Sequence, residues 1–588
     1  MSILENPSRA LVALAAISLV IPHHAVIAEE RDGPYNIAKD AYIVRYNEVF
    51  PPVVAETGMV STQSDIVTRI GVDVLNNGGN AIDAAVAVGF ALTVTLPRAG
   101  NIGGGGFMVV HDGPTNTSYT IDYRETAPTG VTAADFLDEL GKKSKPSRFT
   151  WPAIGVPGTV AGLHKAWEQG GTLEWDELIQ PAIELAENGF PVNYDLGELL
   201  AAKHVWLSQN AATATEFYRE DGSPYAVGEL MRRPALANTL RLIAKDGPDA
   251  FYRGEIADRI VADMEKHGGH IDHDDLASYE AIIRPPITGQ YRGYDIVAMA
   301  PPSSGGIAIV EALNILEPFP LAEWGYSATS LHVLTEALKL TFADRGNYLA
   351  DPAYFDVPVA QLTDKDYGKT RAELINPDRA TPSEQISGGL SGFQEGDSTT
   401  HYSIVDKHGS AVSNTYTLSS SFGSGLTVAG TGILMNNQIH TFSVEADTEG
   451  STGFIASQAN RVEAGKRPVS SQSPTIVMKD GEVFLVVGSP GGSRIISAVI
   501  QMIVNVIDFD MNVAEATNQR RIHHQWIPDK LEVEPGFNKD TRALLEAMGH
   551  TVEETFTMGS TQSIQVGPHY LFGASDPRRP YALTLGAE

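Results

Sequence analysis

The sequence predicts an α+β protein in which layered sheets are covered by helices. Two observations predict it. After residue 399 the chain alternates apolar and polar residues in the manner of strands, at 402–405, 411–417, 475–479 and 483–488, and helical patterns follow at 497–506 and 539–548. Before that point, from about residue 130 to 380, helical and polar segments dominate. Strands and helices do not alternate regularly, which argues against a doubly wound fold.

The elements follow in order. Arg9 precedes an apolar run from Ala10 to Ile21, and Val26-Ile27-Ala28 supplies small residues at a cleavage site. Residues 1–28 therefore read as a secretory signal peptide, since the run is shorter than the roughly 20 residues a membrane anchor needs. The mature chain is expected in the periplasm or outside the cell, free of the membrane once the signal is removed. Residues 71–97 are rich in Ala, Val and Leu on nearly every side, which predicts a buried helix begun near Asn80. Gly100 to Gly106 makes a glycine-rich turn, followed by strands at 107–111 and 119–123. An amphipathic helix is predicted at 331–348. The stretch 447–465, rich in Gly, Ser, Thr and Asn, reads as a loop.

Bulk chemistry excludes several classes. The 588 residues carry 42 basic and 72 acidic side chains, a formal charge of −30, so a phosphate backbone is repelled and nucleic acid is not an expected partner. With no cysteine, disulfides, Cys nucleophiles and thiolate metal sites are all excluded. No G-x-S-x-G elbow, H-E-x-x-H helix or Walker loop occurs. The run Gly103 to Gly106 lacks a following Lys-Ser/Thr and reads as a structural turn. His267, His270, His273, Asp274 and Asp275 cluster, but their order fits a turn into an acid-capped helix start better than a metal site. His523 and His524 are adjacent, so their side chains point apart on a strand, and no role is assigned to them. No cofactor or metal is called for.

Chemistry concentrates in Asp397-Ser398-Thr399-Thr400-His401-Tyr402-Ser403. Alone it is a Ser/Thr turn entering a strand. Downstream lie Thr415 and Thr417, then Gly432-Ile433-Leu434-Met435-Asn436-Asn437-Gln438. Further on come Lys466-Arg467-Pro468-Val469-Ser470-Ser471-Gln472-Ser473-Pro474-Thr475 and Gly488-Ser489-Pro490-Gly491-Gly492-Ser493-Arg494. Upstream stand the glycine run after Asn101, Asp122-Tyr123-Arg124-Glu125, Val156 to Gly162 and Ala343-Asp344-Arg345; Gly573 to Arg578 ends the set. In this order and spacing the chain resembles the gamma-glutamyltransferases across essentially its whole mature length.

The resemblance implies an N-terminal nucleophile hydrolase with a four-layer αββα sandwich. It implies self-cleavage between Ser398 and Thr399, giving a large subunit, 29–398, and a small one, 399–588, interlocked as one structural domain. Thr399 is then the nucleophile, and its freed α-amine is the base: its ordinary pKa of roughly 8 lies far closer to working pH than that of a peptide nitrogen. Thr417 orients the nucleophile, with Thr415 on the same face in support. The N–H groups of Gly491 and Gly492 match an oxyanion hole. Arg124, with Ser470 and Ser471, matches the site for the substrate carboxylate, for which a guanidinium fork is suited. The expected partner is a small γ-glutamyl compound such as glutathione, with transfer to water, an amino acid or a peptide.

The match falters at the substrate amine. The family's Asn, Glu or Gln, and Asp for this group fall, counted without gaps from Thr399, on Ser419, Gln438 and Thr441, and only Gln438 is retained. Two enzymatic readings stay open: γ-glutamyl chemistry with a rebuilt clamp, and a glutaryl-type acylase that needs no α-amine. A secreted binding protein that lost the chemistry would show damage at the nucleophile or oxyanion positions, and none is seen. Residues 443–465 match a lid over the site.

Overall fold

The strand at the nucleophile is explained by its two faces. Thr399, His401 and Ser403 alternate with Thr400, Tyr402 and Ile404, so one face carries hydroxyls and an imidazole while the other is largely aromatic and aliphatic. A computed structural model describes residues 49–138, 144, 146–387, 398–443 and 458–588. The expected signal peptide, Asp397 and most of the expected lid lie outside the described residues.

The strands of the main sheets are, in chain order, β1 (Val53–Ala55), β2 (Gly58–Thr62), β3 (Gly105–Asp112), β4 (Thr117–Tyr123), β5 (Ile282–Arg284), β6 (Ile287–Tyr291), β7 (Tyr294–Ala298), β8 (Ser398–Val405), β9 (Ala411–Ser419), β10 (Thr475–Lys479), β11 (Glu482–Gly488), β12 (Gln562–Val566), β13 (Leu571–Ser575) and β14 (Leu583–Ala587). One seven-stranded sheet runs β1-β13-β12-β11-β10-β7-β6; the other runs β14-β2-β8-β9-β3-β4-β5. Residues on both sides of the Ser398–Thr399 bond contribute strands to both sheets, so the two halves of the chain interlock.

The sheets stack through β8 and β9 against β10, β11 and β12. Hydroxyls cross this layer: Ser403 donates to the Gln562 carbonyl at 2.8 Å and Ser413 to that of Val487 at 3.0 Å. On the outer face of β8 and β9, Tyr402 and Tyr416 donate to the carbonyls of Ala85 and Gly89, both at 2.9 Å. Those carbonyls belong to α2 (Ala81–Thr95), which lies on this sheet beside α1 (Asp65–Asn76). The start expected near Asn80 is present: the Asn80 side chain accepts from the N–H groups of Ile82 and Asp83, and every residue of α2 is buried.

On the far sheet lie α3 (Gly305–Leu316), with α4 (Ala328–Tyr348) packed on it, and α5 (Arg494–Ile507). The four layers are therefore helix, sheet, sheet, helix, as expected. The helix expected at 331–348 is present as α4, but it is not amphipathic: Ser330 to Arg345 is buried without a break. Its polar residues pair internally instead, as Lys339 does with Glu336 at 3.0 Å.

Candidate active site

β8 and β9 pair with an irregularity between Ser398 and Thr399, and beyond it Thr399 sits opposite Thr417. The Thr399 hydroxyl donates to the Thr417 hydroxyl at 3.3 Å. Thr417 in turn donates to the Ser398 carbonyl oxygen at 2.6 Å and accepts from the Ser419 N–H at 2.8 Å. One hydroxyl thus touches both the neighbouring hydroxyl and the carbonyl that precedes it. Thr415 lies elsewhere in the network: it bonds His401 Nδ1 at 2.8 Å, and His401 Nε2 bonds Ser403 at 3.0 Å. Burial lowers the His401 pKa to about 3, so this ring is a neutral spacer between the sheets.

Thr399, Thr417, Ser419, Gln438, Arg124, Ser470 and Gly492 line one small cleft, together with Gln472 and Ile495. The remaining expected residues reach it less directly. Thr441 touches Gln438: its hydroxyl donates to the Gln438 carbonyl at 2.6 Å and accepts from Gln438 Nε2 at 3.3 Å. The Ser471 hydroxyl accepts from Arg345 Nη2 at 2.7 Å. Gly491 precedes Gly492 just ahead of α5, at the positive end of its dipole. Both glycines hold positive φ, +134° and +60°, a region that side chains with a Cβ rarely enter. Among the described residues, neither N–H donates a hydrogen bond.

Arg124 is fully buried, donating from Nε to the Pro468 carbonyl at 3.1 Å and from Nη2 to that of Val469 at 3.2 Å. Its Nη1 lies 3.5 Å from Glu125. Burial pushes Glu125 up to about 7, against the downward pull of the Arg124 charge. The loop bearing Ser470 is held from behind: the Ser470 carbonyl accepts from the N–H and hydroxyl of Ser304 at 2.6 and 2.7 Å, and Arg345 Nε donates to that hydroxyl at 2.8 Å.

Several of these parts carried no role in the sequence reading. Asn436 accepts from the N–H groups of Gly155 and Gln438 and donates to the carbonyls of Gly103 and Gly155, fixing the turn that presents Gln438. Asn437 accepts from the Ser420 N–H at 3.0 Å and so holds the end of β9. The glycine run has a steric cause: a Cβ at Gly104 would lie 2.2 Å from the Thr417 carbonyl oxygen.

The histidine cluster leads into an acid-capped helix start, as expected. Asp272 caps the helix His273–Ala277, His267 stacks on Trp151, and His270 faces Asp135. His523 and His524 do point apart, to Ser497 and Asp529. Among the described residues, one group has metal-ligand proximity: His332, Glu336 and His550. Its two histidines are 2.7 Å apart as a hydrogen-bonded pair, closer than two ligands of one ion stand, and Lys339 occupies Glu336.

The sequence model for gamma-glutamyltranspeptidase matches residues 67–585. The chain belongs to the gamma-glutamyltranspeptidase family. It is 49% identical over 542 residues to the glutathione hydrolase proenzyme of Escherichia coli (strain K12), covering 92% of this chain and 93% of that relative. Among solved structures, it matches the cephalosporin acylase from Bacillus halodurans with a TM-score of 0.82 at 29% identity, over 93% of this chain and 99% of that one. It also matches the Helicobacter pylori gamma-glutamyltranspeptidase, with a TM-score of 0.55 at 39% identity, over 60% of this chain and 99% of that one. The family thus joins hydrolases and acylases on one fold.

Proposed function

We propose that this protein is an autoprocessing gamma-glutamyltransferase and glutathione hydrolase, exported to the periplasm or beyond, with Thr399 as nucleophile. The observation that carries the reading is the hydroxyl pair at the Ser398–Thr399 bond. With Thr417 donating to the Ser398 carbonyl, that carbon is polarised while Thr399 lies alongside. Thr399 Oγ1 bonds the Ser398 carbonyl carbon, the C–N bond breaks, and the proton lost by the hydroxyl ends on the Thr399 nitrogen. Water then hydrolyses the resulting ester, leaving a Ser398 carboxylate and a free Thr399 amine. The large and small subunits are residues 29–398 and 399–588.

In turnover the freed amine takes the hydroxyl proton, and Thr399 attacks the γ-carbonyl of the donor. The oxyanion forms against the N–H groups of Gly491 and Gly492; loss of such a donor costs about 3–4 kcal/mol of barrier. The proton passes to the leaving amine, and water or an acceptor amine releases the acyl group. Arg124, with Ser470 and Ser471, binds the donor's α-carboxylate.

A second reading, a glutaryl-type acylase, draws on the cleft itself: among the described residues no Asp or Glu lines it, so no anion faces an α-ammonium. Two measurements test the readings. Thr399→Ala should leave one uncut band on a denaturing gel, and continued cleavage would remove Thr399 from its role. On processed enzyme, a kcat/KM for γ-glutamyl-p-nitroanilide at least about tenfold above that for glutaryl-p-nitroanilide supports the first reading. Parity or reversal supports the second.

A further inference from the structure

The Ser398–Thr399 bond sits where the β8–β9 pairing is irregular. Ser398 faces Ser419 and Thr399 faces Thr417, so one step on β8 spans two on β9. Such a bulge interrupts the backbone ladder, and the bond to be cut needs other restraints. Its carbonyl has one in Thr417. The Ser398 side chain has another, from a residue 300 positions away in the chain.

Arg98 grips the Ser398 hydroxyl from two sides. Its guanidinium Nη1 donates to Ser398 Oγ at 3.4 Å, and Ser398 Oγ donates to the Arg98 main-chain carbonyl at 3.2 Å. Both residues are buried. Arg98 is itself fixed at both ends. Its backbone lies in the tight turn after α2, where the N–H groups of Ala99 and Gly100 both donate to the Leu96 carbonyl. The Arg98 carbonyl also accepts from the Phe422 N–H, just beyond β9, at 3.1 Å. The guanidinium is aimed by Asp195, whose Oδ2 accepts from Nε at 2.9 Å. Asp195 stands in the first turn of the helix Tyr194–Ala202, which Asn193 caps. A serine hydroxyl bonded on both its donor and its acceptor side is confined to one rotamer, and rotamer and backbone angles are coupled.

Resting on the self-cleavage reading above, we infer that Arg98 is a positioning residue for the cut. It acts through the Ser398 hydroxyl to hold the carbonyl carbon for Thr399, and Asp195 aims the guanidinium. The gain is one of orientation, because attack needs Thr399 Oγ1 aligned on a carbonyl that the strand ladder does not hold. Serine at the position before the nucleophile thereby belongs to the processing machinery. Once the bond is cut, Ser398 ends the large subunit and Thr399 begins the small one, so this restraint serves the precursor.

The test uses the full chain made by cell-free translation and times the conversion of one band to two on a denaturing gel. Arg98→Met should slow the first-order rate about tenfold, the low end for a hydrogen bond to a charged group, since the contact is long. Ser398→Ala should slow it by a similar factor, and the double variant should be no slower than the slower single one. A wild-type rate in either single variant, or losses that multiply in the double one, overturns the proposal. If Arg98→Met gives an insoluble chain, Asp195→Asn takes its place in the cycle, since that side chain is partly exposed. It should slow the cut about threefold, and only where Ser398 is present. An unchanged rate, or the same slowing in the Ser398→Ala chain, overturns the proposal. The self-cleavage reading fails separately: a Thr399→Ala chain that still cuts itself removes the nucleophile whatever Arg98 does.

Discussion

At one end of the cleft, Arg124 is locked by two backbone carbonyls, and the Ser470 loop is braced from behind by Ser304 and Arg345. At the other end, Ser419 holds a left-handed φ of +78°, Thr441 is bonded to its own turn, and the Gln438 amide oxygen has no hydrogen-bond partner. The first end presents a fixed full charge; the second presents neutral dipoles. A charged group earmarked for a carboxylate must be anchored, because a mobile guanidinium would lose side-chain entropy at each binding event. Neutral acceptors set a weaker and more adjustable preference. On the proposed reading, affinity for the donor's carboxylate rests on the first end and the preference among acyl groups on the second.

The largest expected effect removes the charged end. Arg124→Gln should raise KM for γ-glutamyl-p-nitroanilide about 10- to 150-fold relative to γ-aminobutyryl-p-nitroanilide, which lacks only the α-carboxylate. Steady-state kinetics with both compounds checks it, and equal losses would place Arg124 in the scaffold instead. Next, Ser419→Asn combined with Thr441→Asp supplies the second end with a carboxylate. Preference for γ-glutamyl over glutaryl donors should rise about tenfold, making the two ends alike. No gain would show that these positions do not meet the amine.

A smaller effect concerns pH. Because burial raises Glu125 to about 7, it is neutral below that pH and ionised above it. Ionisation puts a negative charge beside Arg124 and opposes an anionic donor. The KM ratio of the γ-glutamyl to the γ-aminobutyryl compound should therefore rise about threefold between about pH 6 and about pH 8. Glu125→Gln should flatten that slope; a slope that persists assigns it to another group. Smallest of all, Ser419→Asn alone should stabilise the fold by about 1 kcal/mol, since Asn tolerates the left-handed region better than Ser. Thermal unfolding of the two chains compares them, and a lower Tm would mean the serine conformation carries no strain.

Much of the fold could be read along the chain. The cap at Asn80, the strands around 411–417 and 475–479 and the helix behind the glycine loop all follow from local pattern, because capping and period-two alternation are short-range effects. The helix Ala328–Tyr348 shows where pattern misleads. Its polar residues suggested a solvent face, yet it lies against its neighbours on every side and those residues pair within the protein. Polarity in sequence does not distinguish water from a buried partner.

What the sequence by itself determined was the strand that carries Thr399, the glycine loop, the family motifs and the departure at Ser419 and Thr441. Only the tertiary structure decided which groups meet: Thr417 with the Ser398 carbonyl, Arg345 with Ser471, Thr441 with the Gln438 amide, and Gln472 with the cleft. The reason is geometric. A hydrogen bond fails over a fraction of an ångström or a few tens of degrees, and that accuracy is set jointly by segments such as Arg124 and Pro468, 344 residues apart in the chain.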